Sequence, residues 1–161
     1  MTLDDPLSAA VEPRWRSERM YPPYPMLAVS IAVFRAGRVL LATRTRPPYA
    51  GAFSLPGGLV EAGETLEEAA LRELREEVRV EARIVGFNRH VEWIDRDGAG
   101  KVLRHYVIAS FVGEWLAGAG EPGPEAGEII WTAPASLPQF ACTPHVAAVI
   151  ASAEALLSSN P

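Results

Sequence analysis

Three glutamates, Glu73, Glu76 and Glu77, stand at i, i+3 and i+4 in the stretch GLVEAGETLEEAALRELREEVRV that runs from Gly58 to Val80. On a helix that spacing stacks three carboxylates on one face across adjacent turns. Their repulsion is unfavourable unless a cation sits among them, and hard oxygen ligands select Mg2+ or Mn2+. A helix is what the flanking residues predict. Thr65 followed by Glu68 is a capping box, so the helix should start at Thr65 or Leu66. Leu66, Ala70, Leu74 and Val78, with Ala69 beside them, form one apolar stripe. The competing explanation is a solvated face whose glutamates pair with Arg72 and Arg75. The preceding loop argues against it: Phe53-Ser54-Leu55-Pro56-Gly57-Gly58 reads as a short strand ending in a glycine pair, which lets backbone approach an ion or phosphate closely.

Gly58, Glu64, Arg72, Glu73, Glu76 and Glu77, with apolar Leu74 and Val80, fit the spacing Gly-x5-Glu-x7-Arg-Glu-apolar-x-Glu-Glu-x-x-apolar. At about 5–7% for each fixed type, chance supplies the pattern in roughly one chain in a million, so it calls for a common cause. The arrangement resembles the box of the Nudix hydrolases, which cleave nucleoside diphosphates linked to another moiety. The resemblance implies that Glu76 and Glu77 are the main metal ligands. It makes Glu73 a further ligand or a water-orienting carboxylate, and the Gly57 carbonyl another ligand. Arg72 lies about 100° around the helix from Glu73, which suits an orienter of glutamates better than a substrate contact. Glu64 belongs to the same network, and Gly58 completes the box. One position departs from the family pattern: Arg79 stands where the box usually has the glycine that ends the helix, so the helix should end differently or run slightly longer.

Beyond the box, Arg44 and Arg46 precede the loop Pro47-Pro48-Tyr49-Ala50-Gly51 that leads to Phe53, and one of them is expected to contact a substrate phosphate. Glu125 and Glu128 occupy the late region where family members often supply an extra carboxylate as base or ligand. His90, Glu92, Arg104 and His105 flank a long hairpin and are candidates for the cleft wall. Trp93, Tyr106, Trp131 and Phe53 are candidates to stack on a base, with core packing as the commoner fate of strand aromatics. No histidine has a partner spacing suited to nucleophilic catalysis, and there is no serine elbow.

The elements that must hold these groups follow from pattern. Met26 to Phe34 and Val39 to Thr43 read as two strands joined by Arg35-Ala36-Gly37-Arg38, with near-continuous apolar runs that suit a sheet covered on both faces. Val80 to Phe87 alternates as a strand, and His90 to Ile94 and Val102 to Phe111 flank the turn Asp95-Arg96-Asp97-Gly98-Ala99-Gly100. Glu128 to Thr132 reads as a last strand and His145 to Leu157 as an alanine-rich helix. Strands interrupted by one helix and closed by another predict an α/β (α+β) protein, a mixed β-sheet between helices. That is also the Nudix α/β/α sandwich, and the resemblance covers roughly residues 26–157. Prolines at 13, 22, 23 and 25 predict an irregular arm over residues 1–24 before a single domain over 25–161.

At 161 residues, 48% apolar and 22% charged, one compact core is expected. A net charge of −5 argues against coating nucleic acid, while metal and a few arginines suffice for a small anion. No apolar run is long enough for a bilayer, the opening segment lacks a secretory pattern, and the lone Cys142 suits a reducing cytoplasm, where it is expected to be a buried small residue. A homodimer is one outcome for the apolar arm residues Trp15, Met20, Tyr21 and Tyr24; folding back on their own domain is the other.

The expected activity is metal-dependent hydrolysis of the pyrophosphate bond of a nucleoside diphosphate derivative. RPPYAGAFSLPGGLVEAGET looks similar to bacterial ADP-ribose pyrophosphatases, making ADP-ribose, cleaved to AMP and ribose 5-phosphate, the leading substrate. A nucleotide-pool sanitiser acting on (d)NTPs is the enzymatic rival. A non-catalytic nucleotide sensor is the rival of another class, although such modules tend to lose box carboxylates and this chain keeps them all.

Overall fold

The computed structural model describes residues 19–159. Of the arm expected over 1–24, residues 1–18, Trp15 among them, lie outside the described residues. Met20 and Tyr21 fold back on the domain and Tyr24 stays exposed.

Strand β1 (Met26–Arg35) is the spine of a mixed sheet, with β2 (Arg38–Arg44) antiparallel on one side and β6 (Val102–Ala117) parallel on the other. Next to β6 runs β5 (Glu81–Arg96), while β3 (Phe53–Ser54) and β7 (Ala126–Thr132) pair with β2, and β4 (Gly57–Leu59) with β1. The β1–β2 turn is two residues, Ala36 and Gly37, with φ 48° and 74°, the left-handed pair that matches strand twist.

Period two then builds two cores. Val29, Ile31 and Val33 of β1 point to one face and pack with Ala69, Ala70, Leu74 and Val78 of helix α1 (Leu66–Val78). Ala32, with Val39 and Leu41 of β2, points to the other and packs with Val146, Ile150 and Ala153 of helix α2 (Val146–Ser159). Burial of both faces is why the runs MLAVSIAVF and VLLAT are almost uninterrupted in apolar character. Leu74 and Ile150 are fully buried, each contributing about 1.5–3 kcal/mol relative to exposure. The architecture is the α/β/α sandwich the sequence implies, and among the described residues no helix is long and apolar enough to cross a membrane.

Several local readings are corrected. Val80–Phe87 and His90–Ile94 are one strand, because β5 shifts register against β6 between Ile84 and Gly86 and again between Phe87 and Arg89. Each bulge adds a residue that breaks the in–out alternation, so one bent strand reads as two. The glycine pair does not end the strand that begins at Phe53: β3 stops at Ser54 and the glycines open β4, with Gly57 opposite Ser30 and Gly58 opposite Val29. Strand β6 runs on to Ala117, β7 starts at Ala126, and a 3-10 helix spans Pro134–Gln139, which alternation does not reveal. Helix α1 neither lengthens nor changes its ending: Arg79 itself takes the left-handed cap, φ 53° and ψ 42°, its N–H donating to the Arg75 carbonyl at 3.1 Å. Cys142 is half-buried against the second core rather than enclosed by it.

Candidate active site

Helix α1 begins where Thr65 Oγ1 accepts from the Glu68 N–H at 3.2 Å and Glu68 Oε2 accepts from the Thr65 N–H at 2.8 Å. With the start fixed and the apolar stripe docked on the sheet, the opposite flank presents Arg72, Glu73, Glu76 and Glu77. Arg72 is the hub of that flank. Its Nε and Nη2 donate as a fork to the two carboxylate oxygens of Glu64. Its Nη1 reaches Glu73 Oε1 at 2.9 Å and Glu76 Oε2 at 3.2 Å, and Nη2 also donates to the Leu59 carbonyl at 3.1 Å. The planar guanidinium thus ties the entry loop, β4 and two turns of the helix to one another. Its hydrogen bond holds Glu64 below the ordinary carboxylate range.

The two glycines of β4 set the depth of the site. A Cβ on Gly57 would sit 2.1 Å from the Val29 carbonyl oxygen, so only glycine lets this strand close on β1. A Cβ on Gly58 would sit 2.4 Å from Glu73 Oε1, so the glycine leaves room for a carboxylate rather than for a ligand. The Gly57 N–H donates to Glu77 Oε2 at 3.2 Å. Burial, then the Glu73 charge, raises the Glu77 carboxyl to about 8 despite that hydrogen bond. Burial likewise raises Glu73, against the pull of Arg72. Two half-buried carboxyls, both raised by burial, are suited to a hard divalent cation. Among the described residues, however, no three acidic, histidine or cysteine side chains are grouped to hold an ion. Glu76, its side chain 61% exposed, gives Oε2 to Arg72 instead.

A cavity of about 480 Å3 opens over these groups, lined by Gly57, Gly58, Glu73 and Glu77 on one side and by Arg44, Arg46 and Glu125 on another. Arg44 donates from Nε to the Pro48 carbonyl at 3.0 Å, and burial pulls it below its ordinary range. Arg46 Nη2 lies 2.8 Å from Glu125 Oε1. Glu128 is not brought in: it is exposed on β7, its N–H donating to Thr43 Oγ1, and is absent from the cavity wall. Nor are Glu64 and Glu76 in that wall.

Of the hairpin candidates, Arg104, Trp93 and Tyr106 line the cavity, while His90, Glu92 and His105 do not. Trp93 and Tyr106 face each other across β5 and β6 and stack at 5.5 Å, with Tyr49 of the proline loop 5.9 Å from Trp93. Phe53 belongs to the second core and Trp131 bonds the Ala119 carbonyl, both outside this wall. A smaller cavity of about 110 Å3 adjoins the first, sharing Ser30, Arg44, Ser54 and Trp93 and adding Thr143 and His145. Arg19, Met20, Ser30 and Ser54 are wall residues that sequence reasoning missed. They share no spacing with the box, and pairing between distant segments alone brings them there.

The NUDIX domain family model matches residues 24–151. A Methanocaldococcus jannaschii protein named ADP-ribose pyrophosphatase is 36% identical over 64% of this chain and 60% of its own length. An Escherichia coli CTP pyrophosphohydrolase is 27% identical over 83% of this chain and 94% of its own. Among solved structures, a MutT NUDIX hydrolase from Burkholderia pseudomallei superposes with a TM-score of 0.70 at 29% identity, covering 80% of this chain and 98% of that one.

Proposed function

The chain belongs to the NUDIX family, and from that premise we propose that it is a divalent-metal-dependent hydrolase of a nucleoside diphosphate derivative, with ADP-ribose cleaved to AMP and ribose 5-phosphate. The observation that carries this reading is the meeting, in one cavity, of the half-buried acidic pair Glu73 and Glu77 with a wall of Arg44, Arg104 and Trp93. Acid on one side suits a cation, base on the other suits phosphate, and an indole suits a nucleobase. The choice of ADP-ribose leans on the name of the archaeal relative and on the adjoining second cavity, since that substrate carries a sugar on both sides of its diphosphate.

Glu73, Glu76, Glu77 and the Gly57 carbonyl would hold Mg2+ or Mn2+, which when bound polarises phosphoryl oxygens and offsets their charge. Arg72, forked on Glu64, fixes the Glu73 carboxylate and restrains Glu76. The exposure of Glu76 leaves it free to exchange Arg72 for an ion. Arg44 meets the phosphates from a half-buried position, where its charge is poorly screened. Arg46 holds Oε1 of Glu125, leaving Oε2 as the atom that accepts a proton from the attacking water; Glu128, outside the wall, has no such part. A cytoplasmic setting is consistent with the single cysteine.

The E. coli relative favours one alternative substrate, a nucleoside triphosphate. Phosphatase-coupled phosphate release across ADP-ribose, NADH, dinucleoside polyphosphates, sugar nucleotides and (d)NTPs, with Mg2+ or Mn2+, separates the two, with Glu76→Gln as the control. Dominant turnover of ADP-ribose and a silent variant uphold the reading. Dominant turnover of a triphosphate replaces the substrate, and nucleotide binding without any turnover replaces the enzyme by a sensor.

A further inference from the structure

The segment entering β1 lies against the cavity, although it belongs to no strand or helix. Arg19 and Met20 form part of the wall, and the next residue, Tyr21, is anchored by three contacts. Its N–H donates to the Leu103 carbonyl at 2.9 Å, its hydroxyl donates to Asp97 Oδ2 at 2.9 Å, and Lys101 Nζ sits 4.5 Å from its ring centroid. All three partners belong to the tip of the β5–β6 hairpin. Tyr21 also has φ 52°, in the left-handed region. A bulky residue keeps that strained conformation only where its surroundings over-determine it, and such residues concentrate at ligand clamps.

The turn at Tyr21 follows Arg19, which joins Arg44, Arg46 and Arg104 in the wall of the same cavity. After burial, the largest cause, the charges of Arg19 and Arg104 also act to lower Arg44, while Glu77 acts the other way. Arg104 is partly neutralised by Asp95 at 2.9 Å. Like charges facing one cavity repel each other unless an anion lies between them, which is the converse of the carboxylates opposite.

We propose that residues 19–21 form a strap, clasped to the hairpin by Tyr21, that holds Arg19 over the cavity as a ligand for the substrate's diphosphate. This assignment rests on the nucleotide-hydrolase reading of the same cavity. Arg19 is the binding residue and Tyr21 its positioning residue.

The test is calorimetric titration of α,β-methylene-ADP with Mg2+ into the wild type and Arg19→Ala, Arg19→Lys, Tyr21→Phe and the Arg19→Ala/Tyr21→Phe double variant. Turnover of the substrate panel is followed in parallel. Arg19→Ala weakens binding about tenfold, as loss of one charge-assisted contact to phosphate does. It raises KM correspondingly while kcat stays within about twofold. Arg19→Lys recovers most of the loss. Tyr21→Phe keeps the ring but drops the Asp97 bond, weakens binding about threefold, and adds nothing once Arg19 is alanine. The strap is overturned if Arg19→Ala binds like the wild type, if the double variant binds more weakly than Arg19→Ala alone, or if the wild type does not bind the analogue. Binding that follows the expected series without turnover of any substrate keeps the strap and sinks the hydrolase, so the two failures are distinct.

Discussion

Gly58→Ala separates the site from the fold. Gly58 is not in the left-handed region, so alanine suits its backbone, and the substitution adds one methyl to β4. That methyl would lie 2.4, 2.5 and 2.8 Å from Oε1, Cδ and Oε2 of Glu73. Ordinary contact begins near 3.4 Å, so the carboxylate must retreat by about 1 Å. The obstacle is the far end of a side chain that one Arg72 bond retains at 2.9 Å, so the protein yields by moving the carboxylate and keeping the strand. Overpacking costs about 1–3 kcal/mol, partly offset by about 0.4–1 kcal/mol from the stiffer unfolded chain. Displacing a catalytic group by about 1 Å costs on the order of 100-fold in rate. The expected variant therefore melts within a few degrees of the wild type and has kcat reduced about 100-fold. Gly57→Ala behaves oppositely, because its Cβ would meet the Val29 carbonyl oxygen at 2.1 Å and backbone cannot swing away. It is expected to lose the β1–β4 pairing and accumulate poorly, while Gly98→Ala, with nothing within 4 Å, changes neither property. Circular-dichroism melts and steady-state kinetics on the three proteins decide the matter. A Gly58→Ala enzyme with kcat within twofold of the wild type would refute the assignment of Glu73 to the chemistry.

Other perturbations are equally specific. The Glu77 carboxyl, raised to about 8 from 4.5, holds a proton in the folded state that the unfolded chain releases. Metal-free protein in EDTA should therefore gain stability as pH falls through 8, by up to about 1.4 kcal/mol per unit until the unfolded value is reached. Glu77→Gln should flatten that calorimetric slope while abolishing turnover, and an unchanged slope would contradict the burial of Glu77. Arg79→Gly relieves a left-handed non-glycine cap and should raise the midpoint of urea unfolding by the equivalent of about 0.5–1 kcal/mol. Arg72→Lys keeps a charge but not the fork that spans Glu64, Glu73 and Glu76, so kcat should fall at least tenfold and lysine should rescue little relative to alanine. Trp93→Ala removes the partner of Tyr49 and Tyr106, and its KM for a nucleotide should rise about tenfold with little change in kcat.

What could be read from the sequence was what is encoded locally. The capping box fixed the start of α1 to within a residue, the four-residue apolar step fixed its buried stripe, and together they fixed the flank that carries Arg72, Glu73, Glu76 and Glu77. The apolar runs around Ile31 and Leu41 announced a sheet covered on both sides for the same reason, since alternation is lost only when both faces are buried. The β5 bulges hid one strand behind the pattern of two, because an inserted residue resets a period of two. Long-range pairing decided the rest. The parallel register of β1 with β6 aligns Met26 with Tyr106 and Ala28 with Ile108, and so brings the hairpin wall beside the box. The closure of β4 on β1 turned a glycine pair that reads as a phosphate loop into a strand making room for Glu73. On β7 Glu128 is exposed and outside the cavity wall, whereas Glu125, just before the strand, is part of it. Nothing in the spacing of Arg19 foretells its place in the wall, since a sequence encodes spacing along the chain, while a binding site is assembled from segments that meet only when distant strands pair.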